Sequence, residues 1–350
     1  MKADTIIVYG SYGYTGRLIV EECRRRGLNA ILSGRDGRQL AEQGAETGYP
    51  VQSVALSDTK ALHALLERGA VVIHCAGPFQ FTARHMVEAC LNTGTHYTDI
   101  TGEYQVFDKI FSYAEAARNK GIMLMPGTGF DVVPSDCLAL YLKEKLPTAT
   151  SLQLAFASSG GFSRGTSKTM VEGLGYGSTI RKEGKYVTLK TAEKVLDVDF
   201  GPFTSKAVCI PWGDIATAWR STGIPNIEVY AGVSSKTIRF LKASNFLNPL
   251  LGQRWVKNFL QRQIENQPPG PSAEKLATAR SYLWGRVKDD AGNELHARIQ
   301  TLNGYMLTAK TSVLIAEKIL NKNLNPGFHT PAMAYGANLI LEISGTTRTG

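Results

Sequence analysis

At 350 residues, 43% hydrophobic and 20% charged, the chain is long enough for about two domains and too apolar to be disordered or a disulfide-stapled miniprotein. Lys and Arg number 39 against 30 Asp and Glu, a formal charge of +9 that favours anionic partners without choosing among phosphorylated cofactors, nucleic acid and lipid surfaces. The 5 cysteines, Cys23, Cys75, Cys90, Cys137 and Cys209, include no C-x-x-C pair and no zinc spacing. No run reaches the roughly 18 apolar residues of a membrane span, and the amino terminus lacks an apolar secretory stretch. The expectation is reduced thiols, no metal, and a cytoplasmic chain that is either free or peripherally membrane-bound.

Thr5–Tyr9 is a short apolar run ended by Gly10, and an apolar periodicity through Leu18, Ile19, Val20 and Cys23 to Gly27 predicts a helix after it. The alternation repeats. Strands are predicted at Ala30–Ser33, Val51–Leu56, Ala70–Cys75, His96–Ile100 and Ile122–Met125. They precede, in turn, a polar helix and helices at Asp58–Arg68, Phe81–Leu91, Tyr104–Asn119 and Pro134–Lys145. Such strand–helix pairs predict an α/β fold, a Rossmann-type doubly wound parallel sheet with ligands at the carboxyl ends of its strands. After Pro147 the texture changes to β-branched and glycine-rich stretches at Ser151–Ser158, Tyr186–Leu189 and Ile227–Val233, predicting a second, α+β domain for substrate or dimerisation. Gln267–Ser272 reads as a hinge, and Asp289–Asn293 as a hairpin turn between Tyr282–Val287 and Leu295–Leu302. A helix at Thr308–Leu320 and a closing segment Thr330–Ile343 complete the chain. The expected boundaries are 1–147 for the first domain and 148–325 for the second.

Gly10-Ser11-Tyr12-Gly13-Tyr14-Thr15-Gly16 sets three glycines at spacing three between the first strand and its helix. The first permits the turn, the second lets backbone approach a pyrophosphate, and the third allows close helix–strand packing. At the end of the second strand, Ser33-Gly34-Arg35 stands where NAD sites commonly carry an acidic residue. Arg35, assisted by Ser33 or Arg38, would hold a ribose phosphate, so NADP(H) is expected over NAD(H). Asp36 is assigned to capping the next helix. A solvated surface charge is the competing reading of Arg35. Cys75-Ala76-Gly77-Pro78 ends the fourth strand with small residues that could lie against a dinucleotide or simply form a turn.

With these residues, and with Tyr97-Thr-Asp-Ile-Thr-Gly-Glu103, Gly129-Phe-Asp-Val-Val-Pro-Ser-Asp136 and Thr330-Pro-Ala-Met-Ala-Tyr-Gly336, the chain resembles the saccharopine dehydrogenase-like oxidoreductases. The resemblance includes a branch similar to the trans-acting enoyl reductases of lipid synthesis. It implies an NADP-dependent fold whose C-terminal segment, 326–350, returns to the dinucleotide-binding domain. Gly160-Gly-Phe-Ser-Arg164-Gly-Thr-Ser-Lys168 resembles the family's glycine- and hydroxyl-rich stretch before a helix facing the cleft. Arg164 and Lys168 would there anchor an anionic substrate or cofactor phosphates, unless they are solvated surface charges.

Hydride transfer requires placement of the ring and a proton donor. Asp99, Glu103 and Asp131 are the carboxyls near the ligand edge. Asp131 or Tyr97 is the candidate donor, with helix capping, loop hydrogen bonds and packing as the bland alternatives. His74 reads as a core histidine. The expected reaction is reduction of a C=C, C=O or C=N bond on a small-molecule or lipid-like substrate. Two alternatives stay open: a non-catalytic NADPH-binding sensor, and a short-chain dehydrogenase using the Tyr141/Lys145 pair. Residues 236–262 form a basic amphipathic stretch, broken at Pro249, that could contact a membrane peripherally or pack as ordinary helices. A homodimer is the expected self-association, and nucleic-acid binding is disfavoured because no recognition motif accompanies the charges.

Overall fold

The computed structural model describes residues 4–158, 163–173, 175–247, 251–266 and 268–350. They divide into two compact units, Met1–Val133 with Tyr305–Ala334, and Pro134–Gly304 with Tyr335–Gly350.

In the first unit Thr5–Tyr9 (β1), Asn29–Gly34 (β2), Val51–Ser53 (β3), Val71–His74 (β4), His96–Asp99 (β5) and Met123–Met125 (β6) build the expected parallel sheet. With a short edge strand, Gly327–Phe328, the described strands run Gly327–Phe328, β6, β5, β4, β1, β2, β3. Every pairing is parallel. The order reverses between β1 and β4, which is the switch point where open α/β sheets bind ligands. Ile6, Ile7 and Val8 are wholly buried, as expected of a central strand covered on both faces.

Tyr14–Arg25 (α1) follows β1 and buries Ile19, Val20 and Cys23. Gly37–Thr47 (α2) is capped as anticipated: the Asp36 carboxylate accepts the Arg38 and Gln39 N–H groups, each at 3.1 Å. Thr59–Leu66 (α3) and Phe79–Thr93 (α4) cover the next crossovers. The helix expected over 104–119 is two, Tyr104–Phe111 (α5) and Ala114–Asn119 (α6). At the break the Ser112 hydroxyl donates to the Lys109 carbonyl at 2.7 Å, a local bond that competes with helix continuation.

In the second unit Ser151–Ser158 runs parallel to Asn226–Gly232 and antiparallel to Arg280–Lys288. Arg280–Lys288 pairs in turn with Glu294–Leu302 through the expected hairpin, whose turn is closed by Asp289. The described strands form a mixed, nine-stranded sheet. Val133–Lys145 (α7) is assigned to this unit from Pro134 onward, not to the first unit as the expected boundary at 147 had it. Its Leu138 and Leu142 fill the space over Gly285, where a Cβ would fall 2.8 Å from Leu142 Cδ1. The returning segment also differs from 326–350. It spans Tyr305–Ala334, while Thr347–Thr349 adds an edge strand to Glu294–Leu302 in the second sheet.

Candidate functional site

At the first βα junction, Gly10 has a left-handed φ of +82°, and any Cβ there would meet the Ala76 backbone nitrogen at 3.0 Å. Gly16 is tighter still, since a Cβ would lie 2.3 Å from the Gly10 carbonyl oxygen. Gly13 is the N-cap of α1 and supplies no side-chain cap, so backbone N–H groups open the helix. A glycine turn that leads into a helix start without a side-chain cap is a ready anion site. Ser11 and Tyr12 brace this loop. The Ser11 hydroxyl donates to Gln43 Oε1 at 2.7 Å while Gln43 returns its amide to the Ser11 carbonyl at 3.0 Å. Tyr12 lies against Gly34, where a Cβ would come 2.5 Å from Tyr12 Cε1, and its hydroxyl accepts the Asp36 N–H. Tyr14 meets Tyr305 edge-on at 5.1 Å.

At the end of β2 the Ser33 hydroxyl is buried and donates to the Gln52 carbonyl at 2.7 Å, so it serves the sheet and is not presented to a ribose phosphate. Arg35 is exposed and makes no ion pair among the described residues, whereas Arg38 pairs with Glu42.

After β4, the turn Cys75–Pro78 contains a cis Gly77–Pro78 peptide. Thr82 locks it by donating to the Ala76 carbonyl at 2.7 Å. That hydroxyl therefore accepts at 3.1 Å from His74 Nε2, leaving Nδ1 as a buried acceptor with no partner among the described residues. His74 sits among Tyr9, Phe79 and Tyr97, and burial holds its pKa down at about 3. It is the expected neutral core histidine, but with only one nitrogen satisfied.

The carboxyls separate into distinct roles. Asp99 is fully buried; it accepts the Tyr97 hydroxyl at 2.6 Å and the Thr101 and Gly127 N–H groups at 3.0 and 2.8 Å. Burial pushes its pKa up to about 6 against the lowering effect of these donors. Tyr97 is equally buried, with a pKa far above the ordinary tyrosine value through burial and then the Asp99 charge, so its hydroxyl is committed to Asp99. Glu103 reaches back across the sheet edge and caps α4, accepting the Phe79 and Gln80 N–H groups at 2.8 and 2.9 Å. Asp131 is partly exposed. It lies against Gly102, where a Cβ would meet its Oδ2 at 2.8 Å, and its pKa is raised to about 7, mainly by burial and then by Glu103.

Residues 6–125, which hold all of these strands, match the family model of the saccharopine dehydrogenase NADP binding domain. A bovine saccharopine dehydrogenase-like oxidoreductase is 27% identical over 203 residues, 51% of this chain and 47% of that one. A Caenorhabditis elegans lipid droplet localized protein is 25% identical over 340 residues, 81% and 78% of the two chains. The chain is thus similar to saccharopine dehydrogenase-like proteins. A Mycobacterium tuberculosis protein that carries the name trans-acting enoyl reductase is 32% identical over 182 residues, 48% of this chain and 43% of that one. The match thus spans about half the length of several curated relatives. In fold, the chain superposes on apo saccharopine dehydrogenase (L-Glu forming) from Saccharomyces cerevisiae with a TM-score of 0.70, covering 99% of this chain and 100% of that one at 11% identity.

Other expected site residues have structural partners in the second unit. Arg164 donates to the Glu265 carbonyl at 3.2 Å and Lys168 pairs with the Glu265 carboxylate at 2.9 Å, so both tie helix Arg254–Glu265 to helix Arg164–Glu172 and are not left to anchor an anion. Residues 160–162 and Pro249 lie outside the described residues. Tyr141 donates its hydroxyl to the Gly350 carbonyl at 2.6 Å, and the Arg348 guanidinium lies over its ring at 3.8 Å. With that hydroxyl bound in the second unit, the geometry does not support a Tyr141/Lys145 dehydrogenase pair.

Sequence reasoning missed Gln43, Thr82 and the hydroxyls of helix Gly304–Leu320. Thr308 accepts the Phe130 N–H at 2.9 Å, Thr311 donates to the Thr128 carbonyl at 2.7 Å, and Ser312 meets the Thr128 hydroxyl at 3.0 Å. These contacts fix the loop that carries Asp131. A signal existed: polar residues stand at buried-face spacing, Gln43 three after Leu40, and Thr308, Thr311 and Ser312 three and four apart.

Proposed function

We propose that this chain is an NADP(H)-dependent oxidoreductase that reduces a C=C, C=O or C=N bond on a small-molecule or lipid-like substrate. The observation that carries the reading is the glycine turn opening on α1 without a side-chain cap, with exposed Arg35, in no ion pair among the described residues, at the end of the neighbouring strand. The Gly10–Gly16 backbone would hold the pyrophosphate, Arg35 the ribose phosphate, and the Ala76–Pro78 backbone the nicotinamide half. NADPH bound there supplies a hydride. Asp131 holds a proton near neutral pH, and its carboxyl is the group that would deliver it to the reduced product. Asp36, the nearest alternative ribose ligand for NAD, is spent on the α2 amides, which supports NADP(H). The name of the nematode relative supports a lipid-like substrate.

Calorimetry with NADPH and NADH tests the cofactor. Arg35→Ala should weaken NADPH about tenfold, the loss of one charge-assisted phosphate contact, and leave NADH within twofold. Equal losses for both would remove the basis for NADP(H). Loss of reduced-nicotinamide absorbance with enoyl, carbonyl or imine compounds tests turnover; binding without turnover across that panel favours a sensor.

A further inference from the structure

Helix Arg254–Glu265 is amphipathic and turns two aromatic rings to water. Its inward face carries Lys257, 5% exposed, whose ammonium donates to the Glu172 carbonyl at 2.6 Å and lies 4.3 Å from the centre of the Tyr176 ring. Gln261 donates to the Glu172 carboxylate beside it, and Ile264 is also buried. Outward, one turn apart, stand Trp255 at 65% and Phe259 at 58% exposure, flanked by exposed Arg254 and Arg262. Two exposed aromatic rings one turn apart depart from the pattern expected of a soluble domain's surface.

Helix Ser235–Ser244 also turns aromatic rings to solvent. Ile238 is buried, whereas Phe240 is 72% exposed and Phe246, in the turn Asn245–Leu247, is 91% exposed. Lys236, Arg239 and Lys242 are exposed around them. From Val229 to Ile264 the sequence holds no acidic residue.

The geometry points to these outward faces as a docking surface for an anionic lipid bilayer. The rings of Phe240, Phe246, Trp255 and Phe259 enter the boundary between headgroups and acyl chains, while the flanking cations pair with headgroup phosphates and carboxylates. No helix among the described residues is long and apolar enough to cross a membrane, so the contact is peripheral. A second copy of this chain is a poor occupant. A two-fold contact would set the basic residues Lys236, Arg239, Lys242 and Arg254 against their own copies. The surface stands independently of the dinucleotide reading, and its test reads binding alone.

The test is flotation of the full chain with phosphatidylcholine vesicles, with and without phosphatidylserine. The chain should float with the phosphatidylserine vesicles and be released as salt rises. Arg254→Ala and Arg262→Ala should each weaken binding about fivefold, the usual effect of one basic residue near an anionic surface. The pair Trp255→Ser and Phe259→Ser should weaken it at least about tenfold with an unchanged circular dichroism spectrum, because both rings are already in solvent. Absence of flotation overturns the proposal, as does flotation that neither set of variants alters. Two further outcomes overturn it in favour of another partner. One is a dimer, seen by light scattering, that the aromatic pair dissolves while vesicles stay unbound. The other is RNA binding that needs the arginines, in a chain that does not float.

Discussion

The loops that end β5 and β6 each present an aspartate at the ligand edge of neighbouring strands, and the structure treats the two oppositely. Asp99 is sealed in and receives a phenol and two backbone amides. Asp131 reaches solvent and lies against a glycine beside a second carboxylate. Three donors tie Asp99 into its loop, whereas burial and the Glu103 charge set the pKa of Asp131. Asp99 is the hub of its loop because two amides and a tyrosine would be stranded without it. Burial, and then the neighbouring Glu103 carboxylate, hold the Asp131 pKa near neutrality.

Breaking that contrast should have its largest effect on stability at Asp99. Asp99→Ala leaves the Gly127 and Thr101 N–H groups and the Tyr97 hydroxyl without their acceptor and should cost about 3 kcal/mol or more in urea unfolding. Asp131→Asn should move stability by under about 1 kcal/mol but lower turnover about 100-fold, the usual contribution of a positioned general acid. Equal losses of stability at the two sites would erase the distinction. The native rate should fall as pH rises through about 7, where the Asp131 acid form is lost, and the Asn variant should lack that limb.

Stability itself should vary with pH in a direction set by the same two groups. Each has a folded pKa above the ordinary aspartate value of 3.8, about 6 for Asp99 and about 7 for Asp131, so the folded state binds these protons more tightly. Their contribution is constant below about pH 4, declines as pH rises towards about 7, and levels off above it. Thermal melts of Asp131→Asn should decline less across that window than melts of the native chain. The smallest effect is expected at Glu103. Glu103→Gln weakens the cap on α4 by about 1 kcal/mol and shifts the alkaline limb of turnover to lower pH, because a negative neighbour of Asp131 is removed.

Much of the first sheet was legible because its signals are local. An apolar run, a glycine turn and Asp36 two residues before the Arg38 amide it caps are all visible within a few positions. The roles that were not legible depend on partners far away in sequence. Glu103 caps a helix that begins at Phe79, Arg164 and Lys168 are taken up by Glu265, and the Tyr141 hydroxyl is bound by Gly350. Residue type and spacing offered each of these side chains to chemistry, and tertiary pairing withdrew it. Helix Arg254–Glu265 shows the same limit. Its amphipathic period was readable, but only the Lys257 contact with Glu172 reveals which face is turned inward.

Helix Gly304–Leu320 holds the Asp131 loop through Thr308, Thr311 and Ser312, which lie 178 to 184 residues downstream of the groups they bond. During synthesis on the ribosome, β1 to β6 emerge long before that helix exists. The nascent sheet can pair its strands, yet the loop after β6 takes its final shape only once that distant helix has been made. A stalled or clipped chain ending before Tyr305 would therefore carry the glycine turn without the clamp that shapes the Asp131 loop.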